Sequence, residues 1–156
     1  MRRPVKKRPV LEPDFKYNSQ KVERFVNYVM ECGKKEVARK VVYGALDEIK
    51  KKTKEENPVE IVELALKNAG PLMELRSRRI GGANYQVPRE VRAERKIALA
   101  MRWIIEAARS KKGIPMSVKL ADELIAASKN EGVAVAKKEN THKMAEANKA
   151  FAHFAW

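Results

Sequence analysis

The chain has 156 residues, one domain's worth, and 44% of them are hydrophobic, enough for a core. Lys and Arg number 34 against 20 Asp and Glu, a formal net charge of +14. Like charges at that density repel, so a polyanionic partner explains them, nucleic acid first and an anionic membrane surface second. The longest apolar run, Ile97 to Met101, is five residues, far short of a membrane span, and no hydrophobic stretch follows the basic N-terminus as a secretory signal requires. The single cysteine, Cys32, excludes an internal disulfide framework and a cysteine-based zinc site.

Residues 1–18 read as a basic flexible arm, ahead of a single helical domain over 19–156. In the arm Arg2, Arg3, Lys6, Lys7, Arg8 and Lys16 face only Glu12 and Asp14, and Pro4, Pro9 and Pro13 exclude a helix. Such an arm buries little and orders only on a partner. A first helix starts near Ser19, a good N-cap. Val22, Phe25, Val26, Val29 and Met30 form its buried stripe, and Gly33 stops it. Cys32 reads as a semi-buried helix residue. The second helix runs over 35–52, with Ala38, Val41, Val42, Ala45, Leu46 and Ile49 on one face. Asn57-Pro58 opens the third, with Glu60 placed for a capping box. Ile61, Leu64, Ala65 and Ala69 carry its apolar face, and Gly70-Pro71 ends it.

The helical period then breaks. Gly81-Gly82 lies between two short extended runs, which predicts a β-hairpin over about 72–88 with Ile80 opposite Ala83. Alternation puts Arg76, Arg78, Tyr85 and Val87 on one face and Ser77, Arg79, Asn84 and Gln86 on the other. A two-stranded ribbon with polar faces is marginal alone, so it should project from the body and be steadied by a ligand. Helices resume near Arg89, with Ile97, Ala100, Met101, Ile104, Ile105 and Ala108 as a stripe and Trp103 and the methionines in the core. Gly113-Ile114-Pro115 is a turn, a fifth helix ends at Gly132, and a sixth spans about 136–150. The tail residues Phe151, Phe154 and Trp156 either pack back on the body or stay exposed to stack on RNA or a neighbour; periodicity does not choose. The fold class is mainly α, a bundle of about six helices with one protruding β-hairpin between helices three and four.

No catalytic set emerges. There is no phosphate-binding loop and no dinucleotide fingerprint. His142 and His153 lack partners at metal spacing, and no metal or other cofactor is expected. Gly33-Lys34-Lys35 resembles half a phosphate loop, but it follows a helix, so a helix stop before a basic helix start is the better reading. Glu90 and Glu94 sit one turn apart on a helix and pair with Arg89, Arg92 or Arg95. What remains is basic clusters. The hairpin is the richest: Arg76, Arg78 and Arg79 grip phosphates and stack on bases, Tyr85 offers a stacking face, and Asn84 and Gln86 reach base edges or ribose hydroxyls. The arm, helix four with Arg95 and Arg102, Lys111-Lys112, and Lys137, Lys138, His142 and Lys143 along the last helix are further clusters.

These residues resemble a known family. The run Arg76-Ser77-Arg78-Arg79-Ile80-Gly81-Gly82-Ala83-Asn84-Tyr85-Gln86-Val87-Pro88 is similar to the hairpin of small-subunit ribosomal protein seven of bacterial type, the uS7 family. Val22, Phe25, Asn27, Met30 and Gly33-Lys34-Lys35, and the block from Lys137-Lys138 through Met144 to Ala150, resemble it too. The resemblance implies a structural constituent of the ribosome, not an enzyme. It implies a primary binder of 16S ribosomal RNA in the 3′ major domain that nucleates assembly of the small-subunit head. It further implies a cytoplasmic protein near the exit-site transfer RNA and the messenger RNA path, beside small-subunit proteins nine and eleven. On this resemblance Arg76, Arg78, Arg79, Asn84, Tyr85, Gln86, Lys34, Lys35, Arg95, Arg102, Lys137, Lys138 and Lys143 form the RNA surface. A monomer is expected when free.

The competing readings are a non-ribosomal RNA- or DNA-binding regulatory protein, with helices four and five mimicking a helix-turn-helix; an RNA-modifying enzyme; and a membrane-surface protein. The first lacks a reading helix, the second any nucleophile or cofactor motif, and the third an amphipathic basic-aromatic helix.

Overall fold

The computed structural model describes residues 10–55 and 57–154. Among them the order is α1 (Gln20–Val29), α2 (Lys35–Thr53), α3 (Pro58–Ala69), β1 (Met73–Ile80), β2 (Ala83–Glu90), α4 (Ala93–Ser110), α5 (Met116–Ser128), α6 (Val133–Ala147) and a terminal 3-10 helix (Lys149–Phe154). The expected helical bundle with a hairpin between helices three and four is the fold the chain adopts.

Helix α5 is the axis of the bundle. It touches α2, α3, α4 and α6. Leu120, Ala121, Leu124 and Ala127 are buried on it, and the alanines let the neighbouring helices approach closely. The stripes of α2 and α4 close around it, with Val42, Ala45, Leu46 and Ile49 from one and Ala100, Met101, Ile104 and Ala108 from the other, and α1 packs on those two helices through Val22, Phe25 and Val26. Helix α3 differs from expectation. It buries Val62 and Leu66, whereas Leu64 is exposed. Met101 is fully buried and Trp103, half-buried, packs against the core, whereas Met144 is exposed and is not the core residue expected.

Among the described residues three carboxylates are buried, and each ties segments of the chain together. Asp14 is 2% exposed. Its carboxylate accepts the backbone N–H groups of Lys16 and Tyr17, each at 3.1 Å, and the Tyr43 hydroxyl at 2.6 Å. Burial and that hydrogen bond push the Tyr43 pKa up to about 12. Residues 14–17 of the stretch read as an arm therefore form a turn pinned on α2. Glu23 on α1 faces Lys35 and Arg39 on α2. Glu123 on α5 is 1% exposed; it accepts the Ala134 N–H at 3.0 Å and pairs with Lys111 at 2.8 Å.

Several expected boundaries move for physical reasons. Ser19 and Asn57 occupy cap positions, but neither side chain caps its helix. The Asn57 amide instead donates to the Glu60 carboxylate at 3.3 Å, so the capping box does not form. Helix α1 stops at Val29; Cys32 and Gly33 lie in the following loop, both at positive φ, and Cys32 is exposed. The ladder runs through Glu90, so Arg89 and Glu90 are strand residues and α4 begins at Ala93. Helix α6 begins at Val133, three residues earlier than the composition suggests, because Glu123 supplies the anionic partner its N-terminus needs. Gly132 precedes it at φ +94°, and a Cβ there would sit 2.9 Å from the Glu123 Oε1.

Two stability predictions follow from this packing. Phe25, 1% exposed, should cost about 3–5 kcal/mol on Phe25→Ala, read by urea unfolding followed by circular dichroism. Gly132→Ala should lose more than about 1 kcal/mol, because an alanine is strained at that φ and crowds the Glu123 carboxylate.

Candidate nucleic-acid interface

The hairpin has the expected register. Ile80 faces Ala83, Arg78 faces Tyr85, Arg76 faces Val87, Ser77 faces Gln86 and Arg79 faces Asn84. Gly81 and Gly82 both take positive φ, which a two-residue loop of this kind requires. The two faces are therefore those the alternation predicts. Arg79 and Asn84 are exposed beside the turn. The Gln86 amide donates to the Ser77 hydroxyl across the strands at 3.3 Å.

The ribbon was expected to need a ligand to steady it. The chain itself supplies support: β1 packs on α6, and β2 packs on the terminal 3-10 helix. The Tyr85 ring lies 5.2 Å from the Phe151 ring and 6.0 Å from that of Phe154. The aromatic tail thus packs back on the hairpin as far as Phe154, and Tyr85 is half-buried against it rather than a bare platform. Trp156 lies outside the described residues.

A relay of hydrogen bonds holds the root of the hairpin. The Asn68 amide of α3 donates to the Ala127 and Ser128 carbonyls at 3.0 and 2.8 Å, capping the end of α5. The Asn68 carbonyl accepts from the Lys138 ammonium of α6 at 2.8 Å. One turn further along α6, His142 Nε2 accepts the Leu72 N–H at 2.9 Å, just before β1 starts. Burial, with Lys138 and Lys96 beside the ring, lowers the His142 pKa. Lys138 therefore holds the fold together here, although the sequence reading placed it with the RNA contacts.

The other candidate residues divide between two regions. Arg76, Arg78 and Arg89 line one hollow with Ser77 and Val87. Arg76 and Arg89 also line an adjoining one of about 300 Å³ with Glu74, Glu90, Arg92 and Arg95. There Glu74 pairs with Arg76 at 3.2 Å and with Arg95 at 3.1 Å. Arg102 stacks over the Tyr28 ring at 5.6 Å. Lys137 pairs with Glu106 at 2.8 Å, and Lys143 is exposed. Lys34 and Lys35 stand apart from the hairpin, at the α1–α2 junction: Lys34 is exposed and Lys35 is held by Glu23. Lys111, read as part of a basic cluster, is committed to Glu123. Arg2, Arg3, Lys6, Lys7 and Arg8 lie outside the described residues.

Sequence reasoning missed Glu74, and it assigned Arg89 and Arg92 to a helix. Continuing the strand alternation two residues past Val87 would have put Arg89 on the Arg76 face. Among the described residues no cluster of His, Cys, Asp or Glu could hold a metal ion, and no helix is long and apolar enough to cross a membrane. What the arrangement can do is bind polyanions: several guanidinium groups converge on one side of a braced ribbon, and each can give paired hydrogen bonds to phosphate.

The relay makes stability depend on pH. A histidine whose folded pKa is lowered favours the neutral form when native. Its contribution is complete above about pH 6.5, the ordinary value, and is lost as pH falls below it. Denaturant midpoints should drop between pH 7 and pH 5, and His142→Gln should flatten that part of the profile.

Comparison with known proteins places this geometry. The family model described as ribosomal protein S7p/S5e matches residues 1–149. The small ribosomal subunit protein uS7 of Francisella tularensis subsp. holarctica (strain OSU18) is 57% identical over 150 residues, covering 96% of this chain and 95% of the relative. That of Stenotrophomonas maltophilia (strain K279a) is 56% identical over 144 residues, covering 92% of each. A match over nearly the whole chain, at this identity, extends through the bundle, the hairpin and the last helix alike, and the chain belongs to the ribosomal protein S7p/S5e family.

Proposed function

We propose that this chain binds 16S ribosomal RNA through the arginine face of its hairpin and the adjoining start of α4, and that it nucleates folding of the 3′ major domain in the small-subunit head. As a small-subunit ribosomal protein of the cytoplasmic ribosome it is a structural constituent and not an enzyme. The observation that carries the RNA reading is the pair of hollows at the hairpin root, where Arg76, Arg78, Arg89, Arg92 and Arg95 gather on a ribbon braced by the body of the protein.

The mechanism is scaffolding. Guanidinium groups neutralise phosphates where RNA helices meet, and the slim ribbon enters a space that a helix could not. Asn84 and Arg79 at the tip add contacts to ribose and base edges, and Lys34, Arg102, Lys137 and Lys143 extend the basic surface. The basic arm, through Arg2, Arg3, Lys6, Lys7 and Arg8, adds phosphate contacts that lock the junction. Proximity to the exit-site transfer RNA and messenger RNA, and to small-subunit proteins nine and eleven, belongs to the same reading, which is drawn from the family.

The test is affinity for a 3′ major-domain 16S fragment against scrambled RNA and duplex DNA of equal length, across a salt series. A preference of roughly 10³ or more that survives moderate salt is expected for specific recognition. Equal binding that vanishes with salt would leave a general basic protein, and preference for duplex DNA would favour a regulatory role. Arg79→Ala should weaken fragment binding roughly ten-fold while leaving helicity and Tm unchanged, because the side chain is exposed and outside the core.

A further inference from the structure

A carboxylate sits in the middle of the arginine surface. Glu74 points into the hollow at the hairpin root and its side chain is only 14% exposed. Its two oxygens are used separately. Oε1 accepts from Arg76 Nε on the same strand, and Oε2 accepts from Arg95 Nε on α4. A negative charge beside a polyanion site opposes binding unless it does something else there.

We propose that Glu74 is a positioning residue for RNA phosphate recognition, orienting Arg76 and Arg95 so that their terminal amino groups face the phosphodiester backbone. The inference rests on the RNA-binding reading above. The bonding pattern supplies the reason. A carboxylate that engaged a guanidinium side-on or end-on would occupy its terminal nitrogens. Contact at Nε fixes the rotation of the group and leaves both terminal nitrogens, the fork that fits a phosphate, uncommitted to Glu74. Because one oxygen reaches β1 and the other α4, the same group fixes the hairpin to the bundle. Both arginines are about half exposed, with side-chain exposures of 57% and 45%, so without Glu74 each would sample many rotamers.

The inference and a plain charge effect differ in sign. Neutralising a carboxylate in a basic patch should strengthen binding to any RNA if charge alone matters. Glu74→Asp keeps the charge but is one methylene too short to hold both arginines. The full chain and its Glu74→Asp and Glu74→Gln variants would be titrated with the 3′ major-domain fragment and with scrambled RNA. Both variants should lose about ten-fold or more in affinity for the fragment. Scrambled RNA should bind Glu74→Asp as before and Glu74→Gln equally or more tightly. Adding Arg95→Ala to Glu74→Gln should cost little further, because the two act as one unit. Without RNA, the Arg76 and Arg95 Nε–H resonances should be slow to exchange in the parent protein and fast in both variants.

Unchanged fragment affinity in Glu74→Asp, tighter fragment binding by Glu74→Gln, or losses additive with Arg95→Ala would each overturn the inference and leave the RNA reading standing. A parent protein that binds fragment and scrambled RNA equally would overturn that reading, and the inference with it.

Discussion

The structure depends on a carboxylate with almost no access to water. Glu123 lies at the centre of the axial helix α5, and its charge is matched from two directions. Lys111 reaches it from the α4–α5 connection, and the start of α6 presents the Ala134 N–H. A buried ion left without its partner generally costs about 3–5 kcal/mol, so this node resists rearrangement. It sets where α6 begins and therefore which α6 residues face the hairpin. One and two turns of helix beyond that start, Lys138 and His142 meet the end of α3 and the first residue before β1. The arginine-bearing ribbon is thus held by a chain of polar contacts that begins in the core.

Carboxylates do a second job in this very basic molecule. Excess positive charge destabilises a compact fold, and Glu23, Glu74 and Glu123 each sit against cationic side chains. Asp14 anchors the turn before α1 onto Tyr43, Glu23 joins α1 to α2, and Glu74 joins hairpin to bundle. A surface left uncompensated would repel itself; a surface fully compensated would have nothing left for a polyanion. The structure separates these demands. Glu23, Glu74 and Glu123 bind cations at specific atoms, while Arg79, Lys34 and Lys143 remain exposed.

Much of the fold was legible in the residues. The stripe from Val22 to Val29 and the one from Ala100 to Ala108 are periodic enough to define both the helix and its inner face. The hairpin was legible because Gly81-Gly82 constrains the turn, and the turn then sets every cross-strand pair. The arginines at 76, 78 and 79 stood out as a candidate site because three guanidiniums so close together in the chain repel one another unless a partner takes them. Less visible were the contacts that decide which cation is free. Lys138, Lys111 and Lys143 look alike in a helical pattern, yet the first two are held by Asn68 and Glu123, and Lys143 is exposed.

By itself the sequence determined the class of fold, the spacing of the apolar stripes, the register of the ribbon and the polyanionic character of the partner. These follow from local rules: helical and strand periods, the conformational freedom of a glycine pair, and net charge. Only the tertiary structure decided where α6 starts, that Phe151 and Phe154 pack on Tyr85, and that Glu74 stands between Arg76 and Arg95. Each of those rests on groups far apart in the chain meeting across a packed interface. The energy of such a meeting depends on distance and burial, and neither is written in the order of the residues.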